Sequence, residues 1–273
     1  MTGETLLRRA RPLLGTLVSI QLPADLAGAS RADLAFERAF DAMAGIQQAM
    51  SAHDPHSDLG RLARAPAGVP LSLHPHTVAV LRLAQAWCGA SRGAFDPQRA
   101  GRLLARQGLR PALAAACGAT ATLAGLRFLD DRTVQADGPL SVDLGGIAKG
   151  YAVDEAVAAL RTEGVACGLV NAGGDLRAFG PRWWSIEVQH PAVPVRTRRL
   201  LRLREGAVAS SVGAGQADFV ATRPRAARWR HCTVLARDCA TADALTKWAL
   251  QDAEPSLALR RALRHAGARL WRA

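Results

Sequence analysis

The chain has 273 residues, 49% of them hydrophobic, enough to bury a sizeable core as one domain or as two intimately packed lobes. Its longest apolar runs, such as 13–22 and 112–116, fall short of the roughly 20 residues a membrane-crossing helix needs, so no transmembrane segment is expected. The net charge of +12 comes from arginines along the whole chain, clustered at 196–204, 223–230 and 260–272; with one tyrosine and six phenylalanines the platform for stacking bases is thin, which favours a solvated surface over a nucleic-acid footprint.

At the start of the chain the arginines follow rather than precede an apolar stretch, and no small-residue cleavage site comes after 13–22. As written the chain reads as cytoplasmic, or as periplasmic if a leader has been removed. Residues 13–22 predict a strand. Ser30 can cap a helix running to Met50, with Leu34, Phe40, Met43 and Ile46 on its buried side, and another helix follows Pro75 with the stripe Val78, Leu81, Ala84, Trp87 and Cys88. Residues 125–136 alternate like a hairpin around Asp130-Asp131, 140–144 reads as a strand, and 146–163 has helical periodicity through Ile147, Tyr151, Val153 and Leu160. Strands are then expected at 165–170, 175–179, 183–188, 200–203, 207–212 and 232–236, followed by helices at 242–250 and 257–266 and a last strand at 268–271. Helices early and late, with strands between, give an α+β fold with mixed or antiparallel sheets rather than regular βαβ winding. The five cysteines form no C-x-x-C pair, which favours buried thiols over a zinc site or a disulfide framework.

Four segments have chemical content. The first is DLGGIAKG at 143–150, where a carboxylate ends a strand, two glycines let a ligand approach the backbone, and the following helix can point N–H groups at an anion. Its spacing is neither that of the P-loop nor that of the dinucleotide fingerprint, and a tight turn capped by its own aspartate reads equally well. Lys149 stands out because only it and Lys247 are lysines among 35 basic residues, and a compact ammonium does what a planar guanidinium does not. The second segment, NAGGDLRAFG at 171–180, predicts a hairpin turning at Gly173-Gly174. The third, GAFDP at 93–97, sets an aromatic and a carboxylate before a proline. The fourth puts Asp243 and Thr246 on one helix face at i and i+3, a pair able to hold a hard cation through oxygen. In SAHDPHSD at 51–58, Ser57 or Asp54-Pro55 starts the next helix more readily than it builds a metal site.

Taken in order, these segments resemble the ApbE family, the FAD:protein FMN transferases. The likeness runs from RPLLGT at 11–16 through DLGGIAKGYAVD at 143–154 and NAGGDL at 171–176 to 242–250. It implies an enzyme that binds FAD with Mg2+, cuts the pyrophosphate, joins FMN by a phosphoester to a threonine or serine of a partner protein and releases AMP. Leu14, His53, Ala94, Phe95, Asp96, Asp143 and Lys149 fall where the family contacts FAD. The family's metal position corresponds to the carbonyl of Gly146 and to Asp243. Asp143 and Lys247 are the catalytic candidates.

Two departures bear on function. The family places a threonine four residues after the metal aspartate, where this chain has Lys247; either Lys247 supplies part of the metal's charge, or Thr246 takes the ligand's place. The family's H-x-x-D-P-x-T-G aligns with 217–227, which contains no histidine and no Asp-Pro, and His231 is the nearest imidazole. A flavin-binding accessory protein that has lost transfer is therefore the alternative reading.

Overall fold

The computed structural model describes residues 5–24, 29–190, 193–213, 229, 231–252 and 254–272, with the main chain alone at 29–30, 189–190 and 193–200. The run at 13–22 is not one strand. It contains a hairpin turn between β1 (Leu6–Leu13) and β2 (Thr16–Pro23). Leu14 and Gly15 both take positive φ, 56° and 70°, as a two-residue turn matched to strand twist requires. A leucine there is uncommon, because its Cβ crowds the carbonyl that follows.

Helix α1 (Ala29–Ala49) begins one residue before Ser30, which lies in its first turn and not at its cap. Phe36, Phe40, Met43 and Ile46 are buried, whereas Leu34 is 46% exposed, one position off the apolar stripe. Ser57 caps the short helix α2 (Asp58–Leu62) by accepting the Gly60 N–H at 3.0 Å. After β3 (Pro70–Ser72), helix α3 (Pro75–Ala90) carries the expected stripe, fully buried at Val78, Leu81 and Ala84 and partly at Trp87 and Cys88. Helix α4 (Pro97–Arg106) went unread in the sequence although Asp96-Pro97 gives it both a cap and a first-turn proline. A hairpin follows as β4 (Arg127–Phe128) and β5 (Thr133–Gln135), joined around Asp130-Asp131 and completed by β3 into a small sheet.

Residues 140–144 look like a strand but join no ladder. Their backbone is used tertiarily: the Leu140 N–H donates to the Leu62 carbonyl at 3.1 Å and the Asp143 N–H to the Pro97 carbonyl at 2.9 Å. Helix α5 (Ala148–Thr162) follows, starting two residues later than its periodicity suggested.

Beyond it come β6 (Gly168–Ala172), β7 (Asp175–Phe179), β8 (Trp184–His190), β9 (Val193–Leu203), β10 (Gly206–Val212), β11 (His231–Ala236), α6 (Cys239–Gln251), α7 (Leu257–His265) and β12 (Arg269–Arg272). Residues 217–227 lie outside the described residues. The large sheet has the order β1-β2-β6-β7-β10-β11-β12, and its described pairings are antiparallel. This is the α+β architecture expected.

Alternation along the strands gives the large sheet two apolar faces. Val18, Ile20, Val170, Phe179 and Val234 pack toward α1, α5 and α6 in the main core. Leu169, Leu176, Ala178 and Val208 pack toward Trp184, Ile186 and Leu203 of the β8–β9 hairpin. Helices α5 and α6 meet at Gly150, where a Cβ would collide with the Cys239 carbonyl. That close crossing sets Lys149 beside the helix carrying Asp243 and Lys247. Among the described residues no helix is long and apolar enough to cross a membrane.

Candidate active site

A cleft of about 820 Å³ opens where the β1–β2 turn, the loop before α4, the turn before α5 and one face of α6 come together. Its volume suits a ligand the size of a cofactor. Leu14, His53, Ala94, Phe95, Asp96, Asp143, Gly146, Lys149 and Lys247 all line it, so segments far apart in sequence converge on one cleft. Asp243 and Thr246 lie behind the wall, fully buried.

Each wall is held from within. The Leu14 N–H donates to Gln47 Oε1 of α1, which pins the positive-φ turn against the cleft. Ser91 holds Phe95: its hydroxyl accepts the Phe95 N–H at 2.9 Å and shares its one proton between the Cys88 carbonyl at 3.1 Å and the Phe95 carbonyl at 3.3 Å. Asp96 caps α4 through the Arg99 N–H at 2.9 Å while facing the cavity. Asp143 accepts the Gly145 N–H at 2.8 Å on one oxygen and the Arg110 Nε–H at 2.6 Å on the other. Arg110 is a cleft residue the sequence did not single out.

The turn before α5 has less free backbone than its glycines suggest. Four of its N–H groups are already engaged: Gly145 by Asp143, Ile147 and Ala148 by the Leu144 carbonyl, and Gly150 by Asp243 Oδ2 at 3.3 Å. Side-chain cations, Lys149, Lys247 and Arg110, line the same cleft and can meet an anion alongside the backbone that remains.

The two lysines belong to a set of four charges in which the carboxylates are buried and the ammonium groups are partly exposed to the cleft. Lys149 Nζ lies 2.8 Å from Asp175 Oδ2, and Lys247 Nζ lies 2.8 Å from Asp243 Oδ1. Asp175 follows the Gly173-Gly174 turn, where both glycines have positive φ, and is only 1% exposed. Sequence reading had taken this motif as a hairpin and missed the carboxylate as a charge partner. Burial pushes the Asp175 carboxyl above its ordinary range and neighbouring Asp243 adds to this, with Lys149 and Lys247 opposing. Burial alone would lower the Lys149 ammonium, but Asp175 and Asp243 outweigh it and hold the group above its ordinary value, so it stays charged. A further carboxylate, Asp154, anchors α6: it accepts the N–H groups of Cys239 and Ala240, each at 2.9 Å, and pairs with Arg177 at 2.7 Å.

Of the groups expected to hold magnesium, the Asp243 carboxylate and the Thr246 hydroxyl are engaged within the protein. Asp243 gives one oxygen to Lys247 and the other to the Gly150 N–H. The Thr246 hydroxyl donates to the Asp243 main-chain carbonyl at 2.7 Å and lies 2.7 Å from Ser211 Oγ. Thr246 therefore does not take the ligand's place, and with a lysine ammonium seated on Asp243 the donor set does not fit a divalent ion. Among the described residues no group of three or more histidine, cysteine, aspartate or glutamate side chains could hold a metal.

The ApbE family profile matches residues 14–266. No curated protein matches at a significant level. Among solved structures, the ApbE protein of Thermotoga maritima is 25% identical, with a TM-score of 0.77 over 98% of this chain and 94% of that one. The flavin transferase ApbE of Vibrio cholerae is 21% identical, with a TM-score of 0.80 over 98% of this chain and 93% of that one. The apo flavinyl transferase ApbE of Pseudomonas stutzeri is 19% identical, with a TM-score of 0.79 over 98% and 90%.

Proposed function

The chain belongs to the ApbE family, and on that premise we propose that it is an FAD:protein FMN transferase, which binds FAD in the cleft, joins FMN to a threonine or serine hydroxyl of a partner protein and releases AMP. The observation that carries the reading is the convergence on one cleft of the chain's only two lysines with the family's motif residues. The cleft has the dual character FAD requires. Leu14, Ile46, Phe95 and Leu104 give apolar surface for rings, while Lys149, Lys247 and Arg110 supply positive charge for the pyrophosphate.

Transfer at phosphorus needs alignment and charge stabilisation more than covalent help from the protein. The acceptor oxygen forms a bond to the phosphorus of the FMN half, the bond to AMP breaks, and the hydroxyl proton must leave. Asp143 is the candidate to take that proton, since each of its oxygens accepts one hydrogen bond and keeps a further lone pair. Lys149 and Lys247 stabilise charge that builds on the departing AMP phosphate.

The test is AMP release measured by chromatography when the protein is incubated with FAD and a threonine-bearing acceptor of a characterised family member. We expect turnover, slowed roughly 100-fold or more by Asp143→Asn, the size typical of losing a general base. Tight FAD binding with no AMP from the parent protein would instead assign it to the flavin-binding, transfer-free class.

A further inference from the structure

Resting on the flavin reading above, we propose that Lys247 is a built-in counter-cation for the FAD pyrophosphate, and that this protein binds FAD without a divalent metal. The Lys247 ammonium is seated by two acceptors, Asp243 Oδ1 at 2.8 Å and Ser211 Oγ. An ammonium has three N–H donors, so one remains for a ligand oxygen in the cleft that Lys247 lines.

The seat is shaped for this side chain. Its stem passes over Gly146, where an added Cβ would come within 3.2 Å of Lys247 Cγ and 3.4 Å of the Phe95 ring. Gly146 thus leaves room for the stem beside the Phe95 ring, while the i,i+4 spacing on α6 brings the ammonium to Asp243. A planar guanidinium presents five donors in a fixed fork, whereas a compact ammonium satisfies two oxygens at the bottom of a narrow slot. That difference gives a physical reason for a lysine at 247 in a chain that uses arginine at nearly every other basic position.

Charge leads to the same place. Asp175 and Asp243 face Lys149 and Lys247, so the set is neutral before ligand binds. A divalent ion entering at Asp243 would have to displace the ammonium or sit against it, and like charges at such range repel strongly in a buried site. The ammonium already sits on Asp243 Oδ1, and the Thr246 hydroxyl is turned to the Asp243 main-chain carbonyl and to Ser211 rather than to the carboxylate, so Lys247 holds the place such an ion would take.

The test is calorimetric titration of FAD into metal-stripped protein in EDTA and again in millimolar Mg2+, with Mn2+ paramagnetic resonance as a direct readout of metal binding. For the parent protein we expect affinities within roughly threefold of each other and no protein-bound Mn2+ signal. For Lys247→Thr, which removes the ammonium and adds a hydroxyl four residues from Asp243, affinity in EDTA should fall roughly 10- to 100-fold, the scale of one lost charge-assisted hydrogen bond. Mg2+ should restore part of it, and Mn2+ should now bind. Parent protein that holds FAD only with Mg2+, or that binds Mn2+ at this site, would overturn the proposal while leaving the flavin reading intact. FAD binding under neither condition would overturn both. The parent measurements need no variant to fold.

Discussion

Replacing Lys149 with methionine removes one charge from the set of four while keeping most of the stem's volume. Asp175, 1% exposed and 2.8 Å from the lost ammonium, is then left without its direct partner. Breaking a buried pair on one side typically costs about 3–5 kcal/mol, since the remaining charge stays desolvated. Against the roughly 5–15 kcal/mol available to a domain, Lys149→Met should still fold but with a clearly lower urea midpoint. Lys149→Met/Asp175→Asn, with both charges gone, should recover most of that loss. Ligand binding should not recover with it: both variants lack a cation in the cleft and should bind FAD roughly 10- to 150-fold more weakly, equivalent to about 1.5–3 kcal/mol. Urea denaturation followed by tryptophan fluorescence gives the stabilities, and flavin fluorescence titration gives the affinities. A single variant as stable as the parent would refute the buried pair. A double variant that binds FAD like the parent would refute Lys149 as an anion contact.

Other outcomes follow from the same geometry. Gly150→Ala forces a Cβ into the Cys239 carbonyl at the α5–α6 crossing and should cost about 3 kcal/mol or more, read as a fall in thermal midpoint. Leu14→Gly relieves a positive-φ leucine worth about 1–2 kcal/mol but adds unfolded-state freedom, so stability should shift by less than about 1 kcal/mol while FAD affinity drops with the lost apolar contact. Burial pushes the Asp154 carboxyl up to about 6 from its ordinary 3.8, even though backbone N–H groups and Arg177 oppose the shift. The folded protein therefore holds that proton more tightly than the unfolded chain does. The resulting stability is full below about pH 4 and is lost as pH rises through 6, by roughly 3 kcal/mol in total. Relative to Asp154→Asn, the parent should lose stability across that window in denaturation curves collected from pH 4 to 7.5; parallel curves would contradict the shift.

Sequence patterns were most informative where chemistry is local. The Gly173-Gly174 turn, the Ser57 cap and the Asp130-Asp131 hairpin follow from turn and cap preferences acting over a few residues. The 140–144 segment has a strand's apolar character, yet its N–H groups go to Pro97 and Leu62, partners that no local pattern reveals. Asp96-Pro97 carried a helix-start signal, a capping aspartate before a first-turn proline, that went unread. Within the site, the Asp175–Lys149 pairing was hidden, because it exists only where β7 lies beside α5, whereas Asp243 and Lys247 are an i,i+4 pair on α6 that helical spacing alone makes readable.

The central claim is transfer of FMN to a protein hydroxyl. Intact-mass spectrometry of the threonine-bearing acceptor, after incubation with this protein and FAD in EDTA, tests it most directly. The account predicts a mass gain of one FMN per acceptor with AMP released in equal amount. An acceptor of unchanged mass in both EDTA and Mg2+, with FAD bound and intact, would contradict it.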